Sequence, residues 1–165
     1  PAEQWSYSGM GYTVLADIVA QVSGQPFADY LQEHVIDPLQ MSDTILIVQD
    51  SDQSEVAGNH VRDAKGQVVV SEIFPYRRQF AATGPLYSSI TDMARYATAH
   101  LNRGQLNGVR VLPETAYDAM WEPISETGWE FGPTLTPLLP NFGMSWTMGE
   151  LDGHRIVSHF GFDEG

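Results

Sequence analysis

Cysteine is absent from the 165 residues, which excludes disulfides, thiolate nucleophiles and paired-cysteine metal sites, although it leaves an oxidising compartment open. Basic residues are scarce. Eight stand against twenty-one acids, for a net charge of −13, and a single lysine, Lys65, is present. Such a chain is repelled by a phosphate backbone or an anionic bilayer surface, so nucleic acid is not an expected partner. No run approaches the ~18 apolar residues that a membrane-spanning helix needs, and no basic stretch followed by an apolar core marks a signal peptide. A Gly-x-Ser-x-Gly elbow, a His-Glu-x-x-His zinc site and a phosphate-binding glycine loop are also missing. No metal and no cofactor is therefore expected.

What is present suits a packed domain. At 42% hydrophobic residues, a chain of this length buries roughly two thirds of its unfolded surface. It starts at Pro1 without a methionine and stops at Gly165, directly after a strongly patterned segment, and is expected to be a piece of a longer protein.

Near the start, Trp5-Ser-Tyr-Ser-Gly-Met-Gly-Tyr12 places polar groups on a loop that opens onto a helix, with Ser8 suited to cap it. Val14, Leu15, Ile18, Val19 and Val22 follow at helical spacing, and Gly24 is placed to end that helix in the left-handed conformation. Pro26 suits the first turn of a second helix, whose stripe is Phe27, Tyr30, Leu31 and Val35 and which stops at Asp37-Pro38. These two helices are expected to pack on each other. Ile45 to Val48 is an apolar run too short to assign. The acidic stretch from Gln49 to about Gly66 reads as an exposed loop, and Val68 to Val70 as a short strand. Pro75-Tyr-Arg-Arg78 looks irregular and able to line a cleft.

Ser89 and Asp92 form a Ser-x-x-Asp capping pattern before a third helix, whose buried face is expected at Ile90, Met93, Ala94, Ala97 and Leu101, with Gly104 ending it. Pro113-Glu114 opens a fourth helix packed through Tyr117, Met120 and Trp121. The Pro/Gly-rich stretch 123–140 is expected to hold no regular element. Phe142 to Met148 and Arg155 to Phe160 read as strands joined at Asp152-Gly153, a strong hairpin signal. The fold class is α+β: a mainly helical region over 1–140, then an antiparallel hairpin over 141–165 that belongs to an incomplete sheet.

Five fragments, in order, carry a resemblance. Tyr7-Ser8-Gly9-Met10-Gly11-Tyr12 resembles a Tyr-Ser-Asn-x-Gly-Tyr opening, Gly24-Gln-Pro-Phe27 a Gly-x-Pro-Phe junction, and Asp37 to Thr44 a Pro-Leu-Gly-Met-x-x-Thr segment. Gly84 to Ser89 with Asp92 resembles Gly-Gly-Leu-x-Ser-Thr-x-x-Asp, and His159-Phe160-Gly161 with Gly165 resembles a His-x-Gly-x-x-x-Gly motif. Together they are similar to the serine β-lactamase and penicillin-binding-protein-like hydrolases, whose fold places a helical domain against an α/β domain with a central antiparallel sheet.

The resemblance implies acyl-enzyme chemistry at an activated serine. By the same resemblance Tyr7 is the proton-relaying catalytic group. His159 sits on a facing strand and supports the relay or the substrate, while Ser8, Gly9, Phe160 and Gly161 line the substrate site. The family carries its nucleophile in Ser-x-x-Lys, and none exists here, because the residue three before Lys65 is Arg62. The nucleophile is expected in an upstream part of the same protein, and the chain is expected to be inactive alone. Gly9 stands where the family often has asparagine, removing a carboxamide that would bind a penicillin-like amide. With histidine in place of lysine in the last motif, this turns the expected substrate towards small esters, or amides of D-amino-acid type, and away from β-lactams. The family also leans towards a periplasmic or secreted location.

Taken singly, these residues have plainer readings. Tyr7 alone is more often a buried aromatic, and Ser8 serves equally as a helix cap. His34, His60, His100 and His154 show no ligand spacing, and Ser88 and Ser89 suit capping rather than nucleophilic attack. Trp5, Trp129 and Trp146 either line a pocket or pack in a core. A non-catalytic binding module and a slowly deacylating penicillin-binding protein are the alternatives to the hydrolase. Beyond a small substrate and the upstream chain, the expectation is either self-association through the hairpin from Phe142 to Phe160 or disorder of that hairpin.

Overall fold

The computed structural model describes residues 5–48, 52, 54, 56–71, 81–84 and 86–161. The chain divides into two compact units, one made of the segment up to Tyr7 with Leu112–Gly161, the other running from Ser8 to Val111.

In the second unit the first helix, α1, spans Gly9–Ser23. Ser8 caps it as the local sequence requires, its hydroxyl accepting from the Gly11 amide at 3.2 Å, and Gly24 closes it at φ 77°. Among the described residues the apolar stripe is mostly uncovered: Val14, Leu15, Ile18 and Val22 are exposed, Val19 is half-buried, and in this helix only Ala16 is buried. Helix α2, Phe27–Leu31, contacts α1 and runs on into a π-helical turn over Gln32–Ile36. Pro26 stands at its N-cap, one position before the first turn. The core of this unit gathers Ile36, Leu39, Met41 and Ala99, flanked by Leu31, Val35, Tyr96, Leu106 and Val111.

Ile45 makes a two-way backbone bridge with Tyr87, which gives the short apolar run its place. Part of the expected acidic loop is a strand. β1, His60–Arg62, pairs antiparallel with β2, Val68–Val70, around a turn in which Asp63 accepts from the Lys65 and Gln67 amides, each at 2.8 Å. That carboxylate adds to the turn's own backbone bonds, Asp63 N–H to the Gln67 carbonyl and Gly66 N–H to the Asp63 carbonyl, each at 2.9 Å, and so fixes the register of a short pair whose partner strand is three valines. Pro75 to Arg78 lies outside the described residues.

Helix α3, Ile90–Leu101, starts at the predicted cap, Ser89 accepting from the Asp92 amide at 3.2 Å. Its buried face differs from the predicted one. Ile90 is 87% exposed and Leu101 81%, whereas Asp92 and Ala99 are buried and Tyr96 lies between them on the same face. The reason is the Asp92 carboxylate, whose Oδ2 accepts from the Asp43 amide at 2.7 Å and from the Thr44 hydroxyl at 2.9 Å. This anchor turns inward the i, i+4, i+7 stripe 92–96–99 in place of the more apolar one. A tight antiparallel pair, β3 (Gln105–Leu106) and β4 (Val109–Arg110), completes the unit.

The first unit contains α4, Glu114–Met120, with Tyr117 buried and Pro113 at the N-cap. Its sheet has four strands in the order β5-β6-β7-β8: Ser125–Glu126, Asn141–Phe142, Thr147–Leu151 and His154–Ser158, all antiparallel. The stretch 123–140 therefore does hold regular structure: β5, a four-residue helix α5 at Gly132–Leu135, and a 3-10 turn at Thr136–Leu138. Its prolines sit where they do no harm, at the first turns of these short helices and off the paired strand positions. The hairpin between β7 and β8 turns at Asp152-Gly153, with φ 51° and 78°, the primed geometry that a two-residue turn needs. The predicted strand 142–148 is broken at Gly143–Trp146, where Ser145 takes φ 66°.

Candidate active site

The site is clearest in the first unit, where Tyr7 and His159 come together. Their ring centroids lie 6.2 Å apart, and each packs on Trp129, at 4.9 Å and 5.4 Å. Trp5 supports the arrangement, packing on Tyr7, Trp129 and Phe142 at 6.4, 5.7 and 6.0 Å. The close approach is possible because residue 128 is glycine: a Cβ there would stand 2.5 Å from the Trp5 ring.

His159 lies one residue past β8 rather than within it. The ladder closes at the pair Thr147–Ser158, which the Thr147 hydroxyl reinforces by donating to the Ser158 carbonyl at 2.8 Å. Beyond that rung the chain is free to turn the imidazole onto Trp129. Partial desolvation among these rings pushes His159 below its ordinary pKa, and a hydrogen bond to the Phe160 backbone opposes the shift. The imidazole is thus biased to its neutral form at pH 7, able to accept a proton. Tyr7 remains 47% exposed.

Ser8 and Gly9, which follow Tyr7 along the chain, belong to the second unit. Ser8 spends its hydroxyl on the α1 cap, and Gly9 faces the Thr83 side chain, 3.9 Å from a hypothetical Cβ. Phe160 packs against Phe131 at 4.4 Å, and a Cβ at Gly161 would meet nothing within 4 Å, which leaves the backbone there clear. Among the described residues no cluster of His, Asp and Glu could hold a metal ion.

Phe131 escaped the sequence reading, and Trp129 was left between pocket and core. Both lie on the segment after β5, fixed by three hydrogen bonds: Thr127 N–H to the Pro140 carbonyl at 2.9 Å, Trp129 N–H to the Thr127 hydroxyl at 3.2 Å, and Phe131 N–H to the Thr136 hydroxyl at 2.8 Å. The signal available was two aromatic residues at i and i+2 in an otherwise polar, Pro/Gly-rich tract.

The α+β fold is that of β-lactamase-like proteins, as the similarity to solved structures shows. The β-lactamase family model matches residues 1–165, and the chain belongs to that family, whose members are serine hydrolases. It is 24% identical over 164 residues to penicillin-binding protein 4 of Amycolatopsis lactamdurans, covering 97% of this chain and 42% of that protein. A similar structure is the octameric penicillin-binding protein homologue from Pyrococcus abyssi, with a TM-score of 0.77 at 24% identity, over 95% of this chain and 33% of the other. Another is the D-amino acid amidase of Ochrobactrum anthropi in complex with D-phenylalanine, with a TM-score of 0.72 at 19% identity, over 95% and 44%. At these identities the structural likeness shows the fold. The chain spans between 24% and 42% of the lengths of the curated relatives it matches.

Proposed function

We propose that this chain is part of a longer serine hydrolase that cleaves small esters, or amides of D-amino-acid type, through an acyl-enzyme, with β-lactams disfavoured. The observation that carries the reading is the juxtaposition of Tyr7 and His159 on the Trp129 ring. A serine from another part of the same protein attacks the substrate carbonyl, and its proton passes by way of the Tyr7 oxygen to the leaving group. Water then attacks the acyl-enzyme, gives up a proton along the same route, and releases the acid with the serine regenerated. Neutral His159 stands beside Tyr7 as a second proton-accepting group. Gly9, in place of an amide-bearing side chain, supports the turn away from penicillin-like substrates.

The lack of Ser-x-x-Lys within these residues supports the further reading that the chain is catalytically silent by itself. A fluorophosphonate probe, which traps activated serines, tests both points. The full-length protein is expected to be labelled at a serine outside residues 1–165, and the isolated chain to stay unlabelled. Labelling of the isolated chain, or of a serine within it, would overturn the proposal.

A further inference from the structure

Two helices of the second unit are apolar on the side turned away from it. On α3 the inward side is the stripe Asp92, Tyr96 and Ala99, yet Ile90, Met93, Ala94, Ala97 and Leu101 follow at helical spacing on the opposite side, and all five are exposed. On α1 the exposed Val14, Leu15, Ile18 and Val22, with Met10 at the start, lie opposite Ala16, the buried residue of that helix. Asp17 is the one charged residue among the fifteen of α1. A helix at the surface of a finished domain turns its apolar stripe to the core and its polar residues to water. One that packs by one side and is apolar on the other lies between two layers. α1 and α3 thus have the sequence of internal helices, and the described residues supply one layer. Apolar faces of this extent mark a surface that is covered in use.

Length and chemistry narrow what covers it. The chain spans less than half the length of each curated relative it matches, so proteins of this family have chain enough outside the matched part for a second layer. On the hydrolase reading the attacking serine comes within hydrogen-bond reach of the Tyr7 hydroxyl. Only Ser8 separates Tyr7 from α1, a chain span of at most about 7 Å to Gly9. The segment that delivers the serine therefore runs past the start of α1, where Met10 and Val14 stand exposed. Gly9 in turn faces the Thr83 side chain, which ties the start of α1 to the segment that leads into α3.

We infer that the serine-bearing part of the same protein docks on the outward faces of α1 and α3 and forms the second layer of this unit. The inference rests on the hydrolase reading and names the partner of that site. Seating on α1 fixes where the serine stands against Tyr7, so the apolar face takes part in assembling the site.

The test places single cysteines in the full-length protein, Ile18→Cys on α1 and Leu101→Cys on α3, and follows alkylation of each by N-ethylmaleimide with peptide mass spectrometry. Residues 1–165 hold no other thiol. Native rates are expected to be at least about 100-fold below those of the same variant in urea, and independent of protein concentration. A native rate within about threefold of the urea rate at either position would overturn the inference. Protection that grows with protein concentration also overturns it, because the faces then belong to a second copy. If a variant fails to fold, hydroxyl-radical oxidation of Met10 and Met93 in the unsubstituted protein carries the test, and should be at least about tenfold slower in the native state than in urea. A photo-cross-linker, p-benzoylphenylalanine at Val14, identifies the covering segment, and attachment to the segment holding the fluorophosphonate-labelled serine is expected. Attachment elsewhere in a labelled protein overturns the inference and leaves the hydrolase reading standing. Protected faces cross-linked within the same chain, in a protein that the fluorophosphonate never labels, refute the hydrolase reading and keep the docking.

Discussion

Replacing Asp92 by alanine should loosen the second unit by a calculable amount. The carboxylate is only 2% exposed and accepts from two donors, the Asp43 amide at 2.7 Å and the Thr44 hydroxyl at 2.9 Å. Hydrogen bonds to a charged acceptor contribute about 1.5–3 kcal/mol each, and a donor left buried without a partner costs about 1–3 kcal/mol. The losses are unequal. Thr44 keeps a second partner in the Ser88 hydroxyl at 2.7 Å, so most of the penalty falls on the Asp43 amide. Together these place Asp92→Ala at about 2–4 kcal/mol of destabilisation and Asp92→Asn, which retains an acceptor oxygen, nearer ~1–2 kcal/mol. Urea unfolding of the full-length protein followed by circular dichroism measures the total. Hydrogen exchange at the Asp43 amide reads the local effect, and protection there should fall at least tenfold in the alanine variant. If Asp92→Ala stays within about 0.5 kcal/mol of the parent with Asp43 still protected, the anchor is not what orients α3.

Burial pushes the His100 imidazole below its ordinary pKa of 6.5. The unfolded chain therefore binds a proton that the folded chain resists, so stability falls as pH drops through 6.5 and levels off below the folded value; His100→Asn should flatten that slope in acid denaturation curves. At Gly149, a Cβ would overlap the Leu138 carbonyl, so Gly149→Ala should force the 138–139 segment off β7 and lower the melting temperature by several degrees, whereas Gly153→Ala on the open hairpin turn should cost less. Among the described residues β8 is the last strand in its sheet, and its outer edge offers the backbone groups of the non-hydrogen-bonded rungs; self-association of the isolated chain should therefore appear in sedimentation velocity and weaken when Val157, whose N–H faces outward, is replaced by proline.

Local chemistry made much of this molecule legible. Ser8, Gly24, Ser89 and the Asp152-Gly153 turn each act within four residues of themselves, and all four lie where the pattern put them. Periodicity was less informative. The stripe Val14, Leu15, Ile18 and Val22 marks a helix correctly, but a stripe does not say what covers it, and these four side chains stay exposed. On α3 the apolar pattern pointed to Ile90 and Leu101, and a buried aspartate 49 residues from its amide partner overrode it. Composition misled over 123–140, because prolines that break long elements are tolerated in short ones. For the site, the ordered motifs were sufficient to bring Tyr7 and His159 under suspicion. The placement of Trp129 and Phe131 depends on where β5 and the 127–136 hydrogen bonds deliver the chain, and no local pattern encodes that.

The central claim is that Tyr7 moves a proton during acyl transfer. Steady-state hydrolysis of p-nitrophenyl acetate by the full-length protein, compared with its Tyr7→Phe variant, tests it most directly, since the substitution removes one oxygen from a ring that stays packed on Trp129. A kcat lower by about 100-fold or more, with KM changed only a few-fold, is the expected result. A kcat within about threefold of the parent would contradict the account.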